Sequence, residues 1–129
     1  MLYENAAFSV ATTVSGQSFI QASMSAAGTH PHHASGLDAK ICGEVAHATA
    51  YSGMSRQEAN LLVKRLYEFY HPYLEKHLSG QPFEEVYDLK TVRPTRHWQD
   101  TYDEVKRELV EMGIPLDRLN FHPATPGGQ

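Results

Sequence analysis

Three histidines, His30, His32 and His33, lie within the segment GTHPHHASG at residues 28–36. Imidazoles bind metal ions, move protons near neutral pH, or make ordinary hydrogen bonds in a solvent-facing turn. The pair flanking Pro31 has a spacing at which two imidazoles can bind zinc, but no second cluster of Asp, Glu or Cys has an obvious ligand spacing. We therefore expect no metal site. The three histidines and Thr29 are candidates for the rim of a substrate pocket, and a plain solvated loop is the alternative reading.

The segment just before the histidines alternates between apolar and polar residues, which is typical of a strand. Its polar positions include Gln21, Ser23 and Ser25, while Ile20 and the following even positions are apolar. In a (β/α)8 barrel, polar residues that point inward near the carboxyl end of a strand lie at the mouth of the active site. Gln21, Ser23 and Ser25 are therefore candidate pocket-lining residues. Hydrogen bonding within the barrel core is the competing interpretation.

The rest of the chain shows mainly helical periodicity. One helix is predicted over residues 2–15 and a second from residue 37 to a break at Gly53. A third begins after Ser55 in the capping-box sequence SRQE, and Pro72 is expected to kink or split it. A fourth begins near residue 95 and ends at Gly113. Residues 79–95 form a loop with one short turn, and a tail at 120–129 is expected to be disordered.

A single convincing strand is informative, because strands need hydrogen-bonded neighbours. The order helix, strand, loop, helix is one repeat step of an α/β sheet or barrel. We infer from this order that the chain is the C-terminal piece of a larger α/β enzyme. A helical bundle with a loosely packed extended segment is the structural alternative.

Composition limits the classes of partner. The chain has 129 residues, a formal net charge of −4 and a pI near 6.0. A protein that binds nucleic acid needs clustered Lys and Arg, so we expect no nucleic-acid partner. No apolar run approaches the length of a membrane span, and no signal peptide is visible. The lone Cys42 fits a cytoplasmic protein, and we expect a buried, inert thiol there.

Four segments carry a resemblance to a known family: GEVAHA (43–48), GMSRQEAN (53–60), YDLKTVRPT (87–95) followed by Trp98, and YDEVKREL (102–109). Together they make the chain resemble the C-terminal region of the monomethylamine methyltransferases that serve corrinoid proteins. The resemblance covers roughly residues 4–116. It implies the last helix, strand and helix of a TIM barrel within residues 1–53, and a helical C-terminal extension over residues 54–119.

The resemblance also implies an activity. The family moves a methyl group from monomethylamine to the cobalt of a cognate corrinoid protein, using a pyrrolysine in the barrel cavity. This sequence contains no pyrrolysine, so that residue is expected upstream of Met1 and the chain alone is expected to be inactive. No residue here matches a catalytic residue of the family. The corrinoid would be presented by the partner and not bound permanently, and the full-length family implies a homo-oligomer.

Two other functions stay open. One is a standalone module that binds a corrinoid protein or a barrel lacking its own C-terminus. The other is a fragment of a metal-dependent barrel hydrolase, which would need His30 and His32 as zinc ligands. Two side-chain pairs are also predicted on helix faces, Glu44 with His47 and Asp103 with Arg107. The stripe that begins at Trp98 is expected to serve packing.

Overall fold

The computed structural model describes residues 1–21, 30–76 and 79–118, and within them the chain is mostly helical. The elements in chain order are α1 (Leu2–Val14), α2 (Gly36–Ser52), α3 (Arg56–Leu74), α4 (Phe83–Val86), β1 (Tyr87–Asp88), β2 (Arg93–Pro94), α5 (Arg96–Met112) and a 3-10 turn at Leu116–Arg118. The two short strands pair antiparallel, with Tyr87 opposite Pro94. No helix in these ranges is long and apolar enough to cross a membrane.

Side-chain caps define the starts of two long helices, α2 and α3. Ser35 begins α2, and its side chain and that of Asp38 form a reciprocal capping box. Ser55 and Glu58 form the second box at the start of α3, as the sequence predicts. These bonds satisfy amides that have no partner inside the helix. Gly53 ends α2 at a φ of +69°, a backbone conformation that glycine adopts without a steric penalty.

One hydrophobic core joins the long helices. Helix α1 packs against both α2 and α3. Small residues on its buried face, including Ala6 and Ala7, allow the neighbouring helices to approach closely. The largest fully buried apolar side chains come from α2, α3, α5 and the segment after α5: Ile41, Leu66, Tyr102, Leu109 and Ile114. Residues on both sides of position 53 enter this core, and the division into two domains at that position stays a prediction.

A partly buried polar cluster links α2 to α5. The Glu44 carboxylate accepts a hydrogen bond from the Tyr102 hydroxyl at 3.2 Å and lies 2.7 Å from the Lys106 ammonium. The Glu44 side chain is 12% exposed and that of Lys106 31%. Burial and the Glu44 charge both raise the pKa of Tyr102, so its hydroxyl keeps its proton and stays a donor. Glu44 therefore links α2 to α5, and its predicted local pair with His47 stays a prediction.

Asp103 does not form its predicted pair with Arg107. Its carboxylate instead accepts a hydrogen bond from the Gln99 side-chain amide at 3.0 Å, one turn earlier on α5. Both partners of this bond lie on the same helix, so it links no other element to α5. Cys42 is buried, as expected for an inert thiol.

The predicted strand is not seen in the part of it that the structure describes. Residues 18–21 carry no strand pairing, and residues 22–28 of the prediction lie outside the described ranges. An extended segment becomes a strand only when a neighbour supplies hydrogen-bonding partners. Among the residues that the structure describes, β1 and β2 pair with each other and with no other strand. Pro72 does not split α3, which continues to Leu74. The predicted tail at 120–129 also lies outside the described residues.

Candidate functional site: the histidine loop and the adjoining cavity

His32 connects its loop to α4, which lies fifty-two residues away along the chain. Its ring Nδ1 lies 2.6 Å from the Glu84 Oε1, and its carbonyl oxygen accepts a 2.7 Å hydrogen bond from the Phe83 amide. The side chains remain open to solvent, at 67% exposure for His32 and 45% for Glu84. The hydrogen bond with His32 holds the pKa of Glu84 below its usual value. These two contacts attach His32 to the start of α4.

His33 makes a second connection to the same region. Its ring Nδ1 lies 2.8 Å from the Ser79 carbonyl oxygen. A carbonyl oxygen can only accept, so Nδ1 carries the hydrogen, and Nε2 is left as an acceptor in the neutral ring. The exposed His30 ring lies near it, with the two ring centroids 5.3 Å apart. His33 is therefore held in one orientation by the 79–84 segment.

Within the described part of the chain, the histidines do not form a metal-binding set with acidic or thiol side chains. Across residues 1–21, 30–76 and 79–118, no group of three or more His, Cys, Asp or Glu side chains is arranged to hold a metal ion. His32 and His33 already use their Nδ1 atoms in contacts with Glu84 and Ser79. The described part of the chain therefore gives the metallohydrolase hypothesis no ligand set.

A cavity of about 560 Å³ opens beside His33. Segments from the start of α1, the start of α2, the end of α3, the loop before α4 and the first turn of α5 enclose it. Its aromatic lining residues are Tyr3, Phe69, Tyr70, Tyr73 and Trp98. Its volume and largely apolar lining are typical of sites that bind small molecules.

Charged groups line one side of the cavity. Glu4 and Asp38 are among its lining residues, and so is Met1, whose nitrogen lies 2.9 Å from Glu4 Oε2. Burial raises the pKa of Asp38, against the hydrogen bonds from Ser35 and Asn5 that lower it. Burial and the Glu4 charge raise the pKa of the Tyr70 hydroxyl. The cavity therefore favours the protonated forms of Asp38 and Tyr70.

Tyr3 anchors one wall of the cavity. Its hydroxyl donates a hydrogen bond to the Glu108 carboxylate, which links α1 to α5. Its ring contacts Phe69 with the ring centroids 4.6 Å apart. Burial, followed by the bond to Glu108, raises the pKa of Tyr3, so the hydroxyl remains protonated. The hydrogen bond and the ring contact therefore hold the Tyr3 side chain in one orientation.

The candidate residues predicted from the sequence are only partly brought together. Gln21 is exposed at the end of the first described range, whereas Ser23, Ser25 and Thr29 lie outside the described residues. Whether these polar residues line a pocket therefore stays a prediction. Sequence reasoning did not single out Glu84 or Tyr3. No local signal could have identified them, because their partners are distant in the chain.

Comparisons with known proteins identify relatives of this chain. The family model described as monomethylamine methyltransferase MtmB matches residues 1–114. Monomethylamine methyltransferase MtmB1 of Methanosarcina barkeri is 34% identical over 113 residues, and MtmB of Methanosarcina mazei is equally similar. The crystal structure of the M. barkeri enzyme superposes with a TM-score of 0.81 at 34% identity. A crystal structure of the hydroxylamine complex of MtmB matches equally well.

The match covers very different shares of the proteins compared. It takes in 88% of this chain but 24% of the M. barkeri protein. The chain thus spans about a quarter of the length of the curated relatives that it matches. Over that quarter the backbone arrangement is shared with an enzyme of known structure.

Proposed function

Because this chain belongs to the monomethylamine methyltransferase family, we propose that it is the C-terminal part of such an enzyme. The whole enzyme would transfer a methyl group from monomethylamine to the cobalt of a cognate corrinoid protein. The observation that carries the proposal is the continuous match of the family model to residues 1–114. The TM-score of 0.81 supports it, because sequence and backbone agree over the same share of the chain.

The proposed place of the chain is at the end of a TIM barrel. Helix α1, the segment that follows it and α2 would complete the barrel, and the elements from α3 onward would form a helical extension. Exposed residues on α2 support this arrangement, because its outer face presents Ala39, Gly43 and Ala50 to solvent. Small side chains on that face would allow close contact with a neighbouring layer.

The histidine loop would then lie at the catalytic rim. Gln21, Ser23 and Ser25 would line the substrate pocket, with Thr29 and the three histidines at its edge. The contacts of His32 with Glu84 and of His33 with Ser79 would hold that edge in place. These residues would position and shield the substrate, and none of them is assigned a catalytic role. The pyrrolysine that reacts with the amine would come from the remaining three quarters of the enzyme.

The first experiment is to read the nucleotide sequence upstream of the Met1 codon. We expect a continuous open frame that contains an in-frame amber codon. Closely spaced stop codons in the same frame, followed by a genuine ribosome-binding site, would contradict the proposal. The second experiment mixes the purified chain with monomethylamine and a corrinoid protein in the cobalt(I) state. We expect the visible absorption spectrum of the corrinoid to show no methylation of its cobalt. Methylation by the chain alone would refute the proposal that the chain depends on the rest of the enzyme.

A standalone interaction module is the second candidate, and one observation favours it. The described helices share one hydrophobic core, with a capping box on each of α2 and α3. Such a core can be stable without a barrel. A monomer that unfolds cooperatively on heating would favour this module over a dependent fragment. Aggregation, or a broad transition without cooperativity, would count against it.

A further inference from the structure

A groove of about 400 Å³ lies where the end of α2, the first half of α3 and the end of α5 meet. Helix α3 contributes four side chains at the spacing i, i+3, i+4 and i+7, which places them on one face of the helix. They are Glu58, Leu61, Leu62 and Arg65. None of the residues that the structure places around this groove lines the cavity beside His33. The groove is therefore a separate site.

Two arginines give the groove a positive character. Arg65 of α3 and Arg118 of the 3-10 turn line it, and both side chains are exposed. Among the residues that the structure describes, neither guanidinium takes part in an ion pair or a hydrogen bond. Glu58 supplies the opposing charge, but its Oε2 already accepts hydrogen bonds from the Ser55 amide at 2.8 Å and the Ser55 hydroxyl at 2.6 Å. Two guanidiniums against one carboxylate leave a charge that a single anionic group would balance.

The other side chains around the groove suit an apolar body. Leu61 is 54% exposed, so a ligand that covered it would remove apolar surface from water. Met54 and Met112 line the groove as well. Methionine side chains adapt to the shape of a ligand, and their sulfur atoms make favourable contacts with aromatic rings. The lining therefore combines cations with an adaptable apolar surface.

We propose that this groove binds a small carboxylate with an apolar, preferably aromatic, body. The carboxylate would lie at Arg65 and Arg118, and the body would lie against Leu61 and the two methionines. The planar guanidinium presents two parallel N–H donors, which match the two oxygens of a carboxylate. A phosphate monoester fits less well, because it carries nearly two negative charges at neutral pH. No residue of the groove belongs to the proposed substrate pocket or its rim, so this proposal and methyl transfer can fail independently.

An NMR titration of the isotope-labelled chain measures affinity and location together. The whole chain is titrated with 4-phenylbutyrate and, in parallel, with the neutral analogue 4-phenylbutanamide. We expect saturable shifts centred on the amides of Gly53 and Gly113, which border the groove. The carboxylate should bind about tenfold more tightly than the amide, from its contacts with the guanidiniums. Equal affinities, shifts centred elsewhere, or no saturable change would overturn the proposal. Residues 119–129 are present in this sample, so a groove that they fill would also give no saturable change.

Variants separate the charge from the apolar surface. Arg65→Gln should remove most of the preference for the carboxylate, whereas Arg56→Gln makes the same charge change on α3 at a residue that does not line the groove. Leu61→Ala should weaken binding of both compounds to a similar extent. Thermal melts of the unliganded variants, followed by circular dichroism, check that each one is folded. If Arg65→Gln and Arg56→Gln bind the two compounds alike, the assignment of Arg65 is wrong.

Discussion

Replacement of Glu44 by alanine tests whether the polar cluster between α2 and α5 stabilises the fold. Glu44 accepts a hydrogen bond from the fully buried Tyr102 and pairs with the Lys106 ammonium at 2.7 Å. The variant leaves the Tyr102 hydroxyl buried without this acceptor and removes the counter-charge of Lys106. Hydrogen bonds to charged groups contribute about 1.5–3 kcal/mol. Because Lys106 is nearly one-third exposed, its ion pair adds only up to about 1 kcal/mol.

The expected loss in the free energy of unfolding is therefore about 2–3 kcal/mol. Urea unfolding followed by circular dichroism measures it. With an m-value of about 1.5 kcal/mol/M, the midpoint should fall by about 1.3–2 M while the m-value stays the same. Glu44→Gln should give a smaller loss, because the amide oxygen can still accept from Tyr102 and only the charge is removed.

Glu68→Ala is the matched control, because Glu68 lies on an exposed face of α3. Substitutions at such surface positions usually change stability by less than about 0.5 kcal/mol. A double-mutant cycle with Tyr102→Phe isolates the hydrogen bond from the rest of the cluster. If Glu44→Ala costs no more than Glu68→Ala, the cluster does not stabilise the contact between α2 and α5 and the reasoning fails.

Three further perturbations have defined outcomes. Ser55→Ala removes the cap of α3 and should lower the free energy of unfolding, measured by urea denaturation, by about 1 kcal/mol. If the free energy of unfolding does not fall, the cap does not stabilise α3. Leu66→Ala leaves a cavity in the core and should lower the free energy of unfolding by about 2–5 kcal/mol. Leu61→Ala, at a 54% exposed position, should lower it far less. Equal losses would mean that Leu66 does not lie in the core. Glu84→Gln should flatten the fall in melting temperature on acidification. The bond with His32 holds the pKa of Glu84 below its usual value, so its contribution is present above the unfolded pKa and lost as pH falls through the folded one. Parallel pH profiles for wild type and variant would contradict this.

The ends of the helices could be predicted from the sequence because their signals are local. The SRQE capping box placed the start of α3, and Gly53 and Gly113 placed the ends of α2 and α5, as observed. Family membership was also accessible from the sequence, since the ordered segments from residue 43 to residue 109 lie in the region that the family model matches. These features depend on residues close together in the chain.

The predicted strand shows where local pattern is insufficient. Alternating polarity indicates that a segment suits a pleated surface, but pairing requires neighbouring strands. Residues 18–21 have no such pairing, and the rest of the segment lies outside the described residues. Pro72 does not split α3, because it lies two residues before the end of that helix; whether it kinks the helix stays a prediction.

What the sequence by itself determined is the four long helices, the capping box of α3 and the family to which the chain belongs. Only the tertiary structure decided which side chains meet: His32 with Glu84, Glu44 with Lys106, and Tyr3 with Phe69. The physical reason is that helix periodicity and capping arise within a few residues. Contacts between elements depend instead on the packing of helix faces, which no short segment specifies.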